Sequence, residues 1–173
     1  MIEDFRGEYK RYRIIGEKAL AQIPDDELNH VHASGGNSAA MIVFHIGGNF
    51  ASRFTDFLTT DGEKPWRARE EEFAERICSR ADLEERWVSG WSVVEAQLAS
   101  LGDGDFERSV TIRQQPLTVH AALCRSLAHV AYHVGQIVLI ARICADRPWQ
   151  SMSIPRGASD AYNANPILEK VPQ

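Results

Sequence analysis

Cysteine is scarce in this chain and odd in number, with only Cys78, Cys124 and Cys144 among 173 residues. Such uneven spacing gives no disulfide framework and fits reduced thiols in a cytosol. Basic runs are also lacking. The 19 Lys and Arg against 24 Asp and Glu leave a formal charge of −5. Nucleic acid is therefore disfavoured as a partner, because neutralising phosphates needs clustered cations, and an anionic membrane surface is disfavoured for the same reason. The start, Met1-Ile2-Glu3-Asp4-Phe5, has no signal-peptide core. No uncharged apolar run approaches the roughly 20 residues of a bilayer span. A cytoplasmic protein is the expectation. Internal repeats and low-complexity segments are absent as well.

What is present reads as one helical domain over residues 1–173, with 44% apolar and 25% charged residues, ordinary for a globular chain. Phe5, Tyr9, Tyr12, Ile15, Ala19 and Ile23 recur by threes and fours, predicting a first helix from about Ile2 to Gln22, ended by Pro24. The segment from Asp25 to Asn37 carries His30, His32 and Gly35-Gly36 and reads as a loop with solvated histidines. Asn37 or Ser38 can cap a second helix running to about Thr59. Its apolar residues, Met41, Ile42, Phe44, Ile46, Phe50, Phe54, Phe57 and Leu58, cover most of the circumference, so it is buried on more than one side. His45, Asn49, Ser52 and Asp56 form a polar seam on it. Gly47 and Gly48, each about 1 kcal/mol worse than Ala in a helix, mark close helix approach or room for a ligand.

A connection from Asp61 to Arg80 follows, beginning Asp61-Gly62-Glu63-Lys64-Pro65-Trp66-Arg67 and continuing into a weakly helical acidic patch, Glu70-Glu71-Glu72. Its length permits a crossover that lets helices two and three lie parallel. Trp66 and Arg67 either lid a pocket or, for Trp66, pin the crossover to the surface. In the third helix Ser79 with Asp82 makes a capping-box-like start, and Leu83, Trp87, Trp91, Val94, Leu98 and Leu101 form a core stripe. Ser109-Val110-Thr111-Ile112 is β-prone, either a ribbon or merely extended. The polar tail, 147–173, is expected to pack on the helices.

The last helix, from about Leu117 to Ala145 with Thr118 as a possible cap, holds the most informative stretch. His129 and His133 differ by about 40° around the axis and stack one turn apart, a spacing that suits two ligands on one metal ion. Val130 stands where a zincin needs its Glu, which removes a metalloprotease. Arg125, Ser126 and Gln136 extend the polar face. A core stripe seldom holds so many polar groups, because each buried one needs a partner. Two readings stay open: histidines in a satisfied polar notch, or the wall of a site with His45 opposite as a third ligand. His120 points about 180° away from His129 and is excluded as a ligand from this helix.

Val43-Phe44-His45-Ile46-Gly47-Gly48-Asn49 together with Ala128-His129-Val130-Ala131-Tyr132-His133-Val134-Gly135-Gln136-Ile137 resembles the DinB-like, or YfiT-like, metal-dependent hydrolase and S-transferase superfamily. Asp61-Gly62-Glu63-Lys64-Pro65 and Ser153-Ile154-Pro155-Arg156-Gly157 are similar to an uncharacterised branch of it. The resemblance implies an all-α four-helix bundle of up-down-down-up topology, often a homodimer, with nickel or zinc held by His45, His129 and His133. It also implies a small-molecule substrate, such as a low-molecular-weight thiol, for an S-transferase or hydrolase. The polar seams make Asp56, Asn49 and Gln136 the candidate catalytic or positioning groups, with Asp56 the obvious base. The alternative is a stress-linked metal-binding or interaction protein that turns nothing over.

Overall fold

The computed structural model describes residues 1–167 and is predominantly helical, with six α-helices among the described residues. Four are long: α1 (Ile2–Leu20), α2 (Ala39–Phe54), α4 (Arg80–Ser100) and α5 (Val119–Cys144). Between them lie the short α3 (Arg69–Glu72) and an antiparallel hairpin, β1 (Ser109–Ile112) with β2 (Gln115–Thr118); α6 (Ser159–Asn163) lies in the tail. The hairpin corrects the purely helical expectation and resolves the β-prone patch as a ribbon, with Val110 facing Leu117 and Ile112 facing Gln115.

Helix starts follow local chemistry. Ser38, Ser79 and Thr118 each accept an amide hydrogen bond from the first turn they cap, from Met41, Asp82 and Ala121. Asp82 returns the favour, accepting from the Ser79 amide at 2.9 Å. Because Ser38 takes the cap of α2, Asn37 is left outside the helix. The end of α2 differs from the periodicity: the helix stops at Phe54, Thr55 is extended, and Asp56 is left-handed with φ 51°. Phe57 still packs into the core from the turn beyond. The apolar period therefore outlasts the helix, which ends short of the Thr59 that it predicts.

The interior is built on α2 packed against α4 and α1 packed against α5, with α1–α4 and α2–α5 contacts joining the two pairs. Every residue of the α4 stripe from Leu83 to Leu101 is buried. Trp91 sits against Phe50 of α2 at 4.9 Å between ring centres, and the Tyr9 hydroxyl of α1 donates to the Leu123 carbonyl of α5. Gly47 and Gly90 let α2 and α4 close up: a Cβ on Gly90 would come within 2.7 Å of the Gly47 Cα.

By length and composition α5 is apolar enough to cross a membrane, although Arg125 and Arg142 bracket its centre and keep its uncharged run short. In this fold α5 instead buries Leu123, Val130, Val134 and Ile137 against neighbouring helices. The tail turns back at Gln150, which exchanges two hydrogen bonds with Gln22. Expectations for the tail beyond 167 fall outside the described residues.

Candidate metal centre

Helix α2 supplies His45, and α5 supplies His129 and His133 from successive turns. The His45 and His129 Nε2 atoms are 3.0 Å apart, and those of His133 and His129 are 3.2 Å apart. One ligand atom from each residue falls within 4.8 Å of the other two. The i, i+4 spacing places two rings, and the α2–α5 contact brings in the third.

Outer partners decide where the ring protons sit. His45 Nδ1 is 2.8 Å from Glu72 Oε2, and an ionised carboxylate only accepts, so Nδ1 carries the proton and Nε2 offers its lone pair. His133 Nδ1 donates likewise to Gln136 Oε1 at 2.9 Å, freeing its own Nε2. Two lone pairs therefore face His129. A neutral His129 can donate one proton to one of them and must leave the other unanswered. A divalent cation accepts all three lone pairs, and neutral imidazoles are ligands for zinc, nickel and other first-row ions. The residues fit a metal.

The two α5 rings are held neutral. Burial, then repulsion from His133 and His45 and from the Arg67 and Arg53 charges, pushes His129 down to about 3. Burial also lowers His133, against the opposing pull of its hydrogen bond to Gln136.

Glu72 is the centre of the outer shell. Arg67 grips it with two hydrogen bonds, Nε to Oε1 at 2.8 Å and Nη2 to Oε2 at 2.9 Å, and both side chains are buried, at 2% and 8% exposure. Burial opposes the carboxylate's charge, but the hydrogen bonds from Arg67 and His45 outweigh it and hold its pKa below the usual range. Phe73 covers the His45 ring at 4.5 Å between centres. Metal-bound histidines are commonly oriented by such carboxylates.

The triad opens into a cavity of about 890 Å³. Asn49 and Gln136 line it, as does Asn37, released by the Ser38 cap. Asp56 does not. It is exposed beyond the end of α2, where its charge supports the buried ammonium of Lys64, so the helical seam never carries it to the site. Ser52 also leaves the seam, donating to the Gly62 carbonyl at 2.7 Å. The connection between α2 and α4 supplies Arg67 as a buried clamp on Glu72, while Trp66 remains 57% exposed. Glu72 itself was unmarked in the sequence, being one of three consecutive glutamates. The loop histidines gain company as well: Glu27, His30 and His32 form a second, more open cluster, with His32 Nε2 3.4 Å from Glu27 Oε2. His120 packs on Phe5 and Phe106, away from the triad.

No curated protein matches this sequence. A family model does, over residues 1–158, and the chain belongs to that family of proteins of unknown function, DUF1572.

Proposed function

We propose that this protein is a divalent-metal-dependent enzyme acting on a small molecule, with His45, His129 and His133 holding nickel or zinc on a DinB-like four-helix bundle of up-down-down-up order. The observation that carries this reading is the convergence of three Nε2 atoms at the wall of a cavity, two of them with tautomers set by Glu72 and Gln136. A divalent ion on three imidazoles supplies Lewis acidity and eases deprotonation of water or a thiol at neutral pH. The chain's own residues prepare for it. Arg67 keeps Glu72 ionised, Glu72 keeps the His45 proton on Nδ1, and Gln136 does the same for His133. Asn49 presents an amide to the same space.

Between the two reaction classes, hydrolysis and S-transfer from a low-molecular-weight thiol, the cavity favours transfer. Among the described residues no Asp or Glu lines it, so no carboxylate faces the cavity to serve as a base for water. A homodimer is proposed as the assembly, supported by Leu139 and Ile143, exposed one turn apart on α5.

Elemental analysis of untagged protein tests the reading. One equivalent of a transition metal is expected, falling to a small fraction in His129→Ala, with His30→Ala as the control for the second cluster. Absence of metal after incubation with nickel, zinc and manganese overturns it. Screening metal-loaded protein with electrophiles plus small thiols, and with esters and amides, separates an enzyme from a metal-binding protein without turnover: activity should appear and vanish in His129→Ala.

A further inference from the structure

The cavity's charge runs against that of the whole chain. The protein is net acidic, yet Arg53, Arg67, Arg69, Arg113 and Arg125 all line this space, and among the described residues no acidic one does. Their counter-ions are too few. Glu63 alone serves two guanidiniums, with Arg53 Nη2 at 3.1 Å and Arg113 Nε at 3.0 Å from the same oxygen. Arg67 shares Glu72 with His45, and the counter-ion of Arg69 among the described residues is the exposed Glu70. Arg125 has no ion pair or hydrogen bond among the described residues. The three histidines bring no negative charge to correct the imbalance, and a divalent ion on them increases it.

Beside the polar Asn37, Asn49, Ser126 and Gln136, the lining has an apolar and aromatic part: Phe54, Phe57, Phe73, Ile112 and Tyr132. A small inorganic ion would leave that surface unused. Arg125 precedes His129 by one helical turn on the same face, a rise of about 6 Å. An anionic group on Arg125 therefore sits a few bonds from whatever lies at the triad.

We infer that the substrate is a small organic anion, whose carboxylate or phosphate is taken by Arg125 while its apolar body lies on the phenylalanine wall. This deepens the metal-dependent reading, naming the class of molecule offered to the same site. Arginine suits the task because its planar fork matches both oxyanions, and Arg125 has no ion-pair partner among the described residues to displace.

The test is calorimetric titration of benzoate, phenyl phosphate and neutral benzamide into metal-free and zinc-loaded protein. At least one anion is expected to bind about tenfold or more tightly than benzamide, in both forms, and the tighter of the two identifies the oxyanion. Arg125→Gln should remove that preference while leaving zinc content unchanged; because Arg125 is exposed, its replacement should not disturb folding. Equal binding of anions and amide, or no binding of either, overturns the inference. So does an anion preference that appears only with zinc and survives Arg125→Gln, since the anion is then a metal ligand. Failure to take up zinc sinks the metal reading instead and leaves the metal-free titrations to decide this one.

Discussion

Gly48 lies so close to Glu72 that a Cβ at position 48 would stand 2.1 Å from Glu72 Oε1. The absent side chain on α2 is the space into which the carboxylate fits. Gly48→Ala should therefore expel the carboxylate from its place between Arg67 and His45, with α2 intact because Ala favours helix. Losing the outer partner of a metal-bound histidine commonly costs about 10- to 100-fold in metal affinity. The expected result is a fall of that size in zinc affinity, measured by competition with a chromophoric chelator, with unchanged far-ultraviolet circular dichroism.

Glu72→Ala should be worse for the fold than for the metal. It strands the Arg67 guanidinium, which is 2% exposed, without its counter-ion. Breaking a buried pair by removing one partner costs about 3–5 kcal/mol. Glu72→Gln retains one acceptor, for either His45 Nδ1 or Arg67, and should lose less. Urea denaturation of the metal-free variants should rank wild type above Glu72→Gln and Glu72→Ala lowest; equal midpoints would show that the pair contributes nothing to stability.

Much of this arrangement was legible in the chain. The stripe from Leu83 to Leu101 and the caps Ser38, Ser79 and Thr118 are local patterns, and local rules place them. His129 and His133 are likewise brought together by one helix. Glu72 was not legible, since three adjacent glutamates read as a solvated surface and only the hollow at Gly48, distant in sequence, selects one of them. Asp56 misled for the opposite reason. The seam places it on the His45 face only if α2 continues, and extended Thr55 ends the helix one residue earlier.

Asp61 ties the crossover to the hairpin. Its carboxylate accepts the amide hydrogens of Glu63 at 2.7 Å, Arg113 at 2.8 Å and Gln114 at 2.7 Å. Those of Glu63 and Gln114, the foremost causes, outweigh the opposing effect of burial, and with Arg113 they lower the carboxyl to about 2. A depressed carboxylate pKa stabilises the fold at pH values above the ordinary value near 3.8, and the contribution is lost as pH falls through about 2. Asp61→Asn should accordingly be less stable than wild type at pH 7, with the gap constant to about pH 4 and closing below it. Urea midpoints of the two proteins across that range check the window; a gap that persists unchanged to pH 2 would remove the charge from the explanation.

The same carboxylate explains how the hairpin tolerates its turn. Arg113 and Gln114, with φ 53° and 62°, both occupy the left-handed region that two-residue hairpin loops of the I′ type require, where Asn-Gly is favoured. A residue with a side chain pays roughly 1–2 kcal/mol for that conformation. Both amides are answered by Asp61, which offsets the strain without relieving it. Gln114→Gly removes the Cβ and leaves the amide in place, so the hydrogen bond to Asp61 survives. The substitution should stabilise the protein by about 1 kcal/mol, less whatever glycine costs through greater freedom in the unfolded chain. Thermal and urea unfolding would register this as a higher midpoint, and Gln114→Ala, which keeps the Cβ, should show none of the gain.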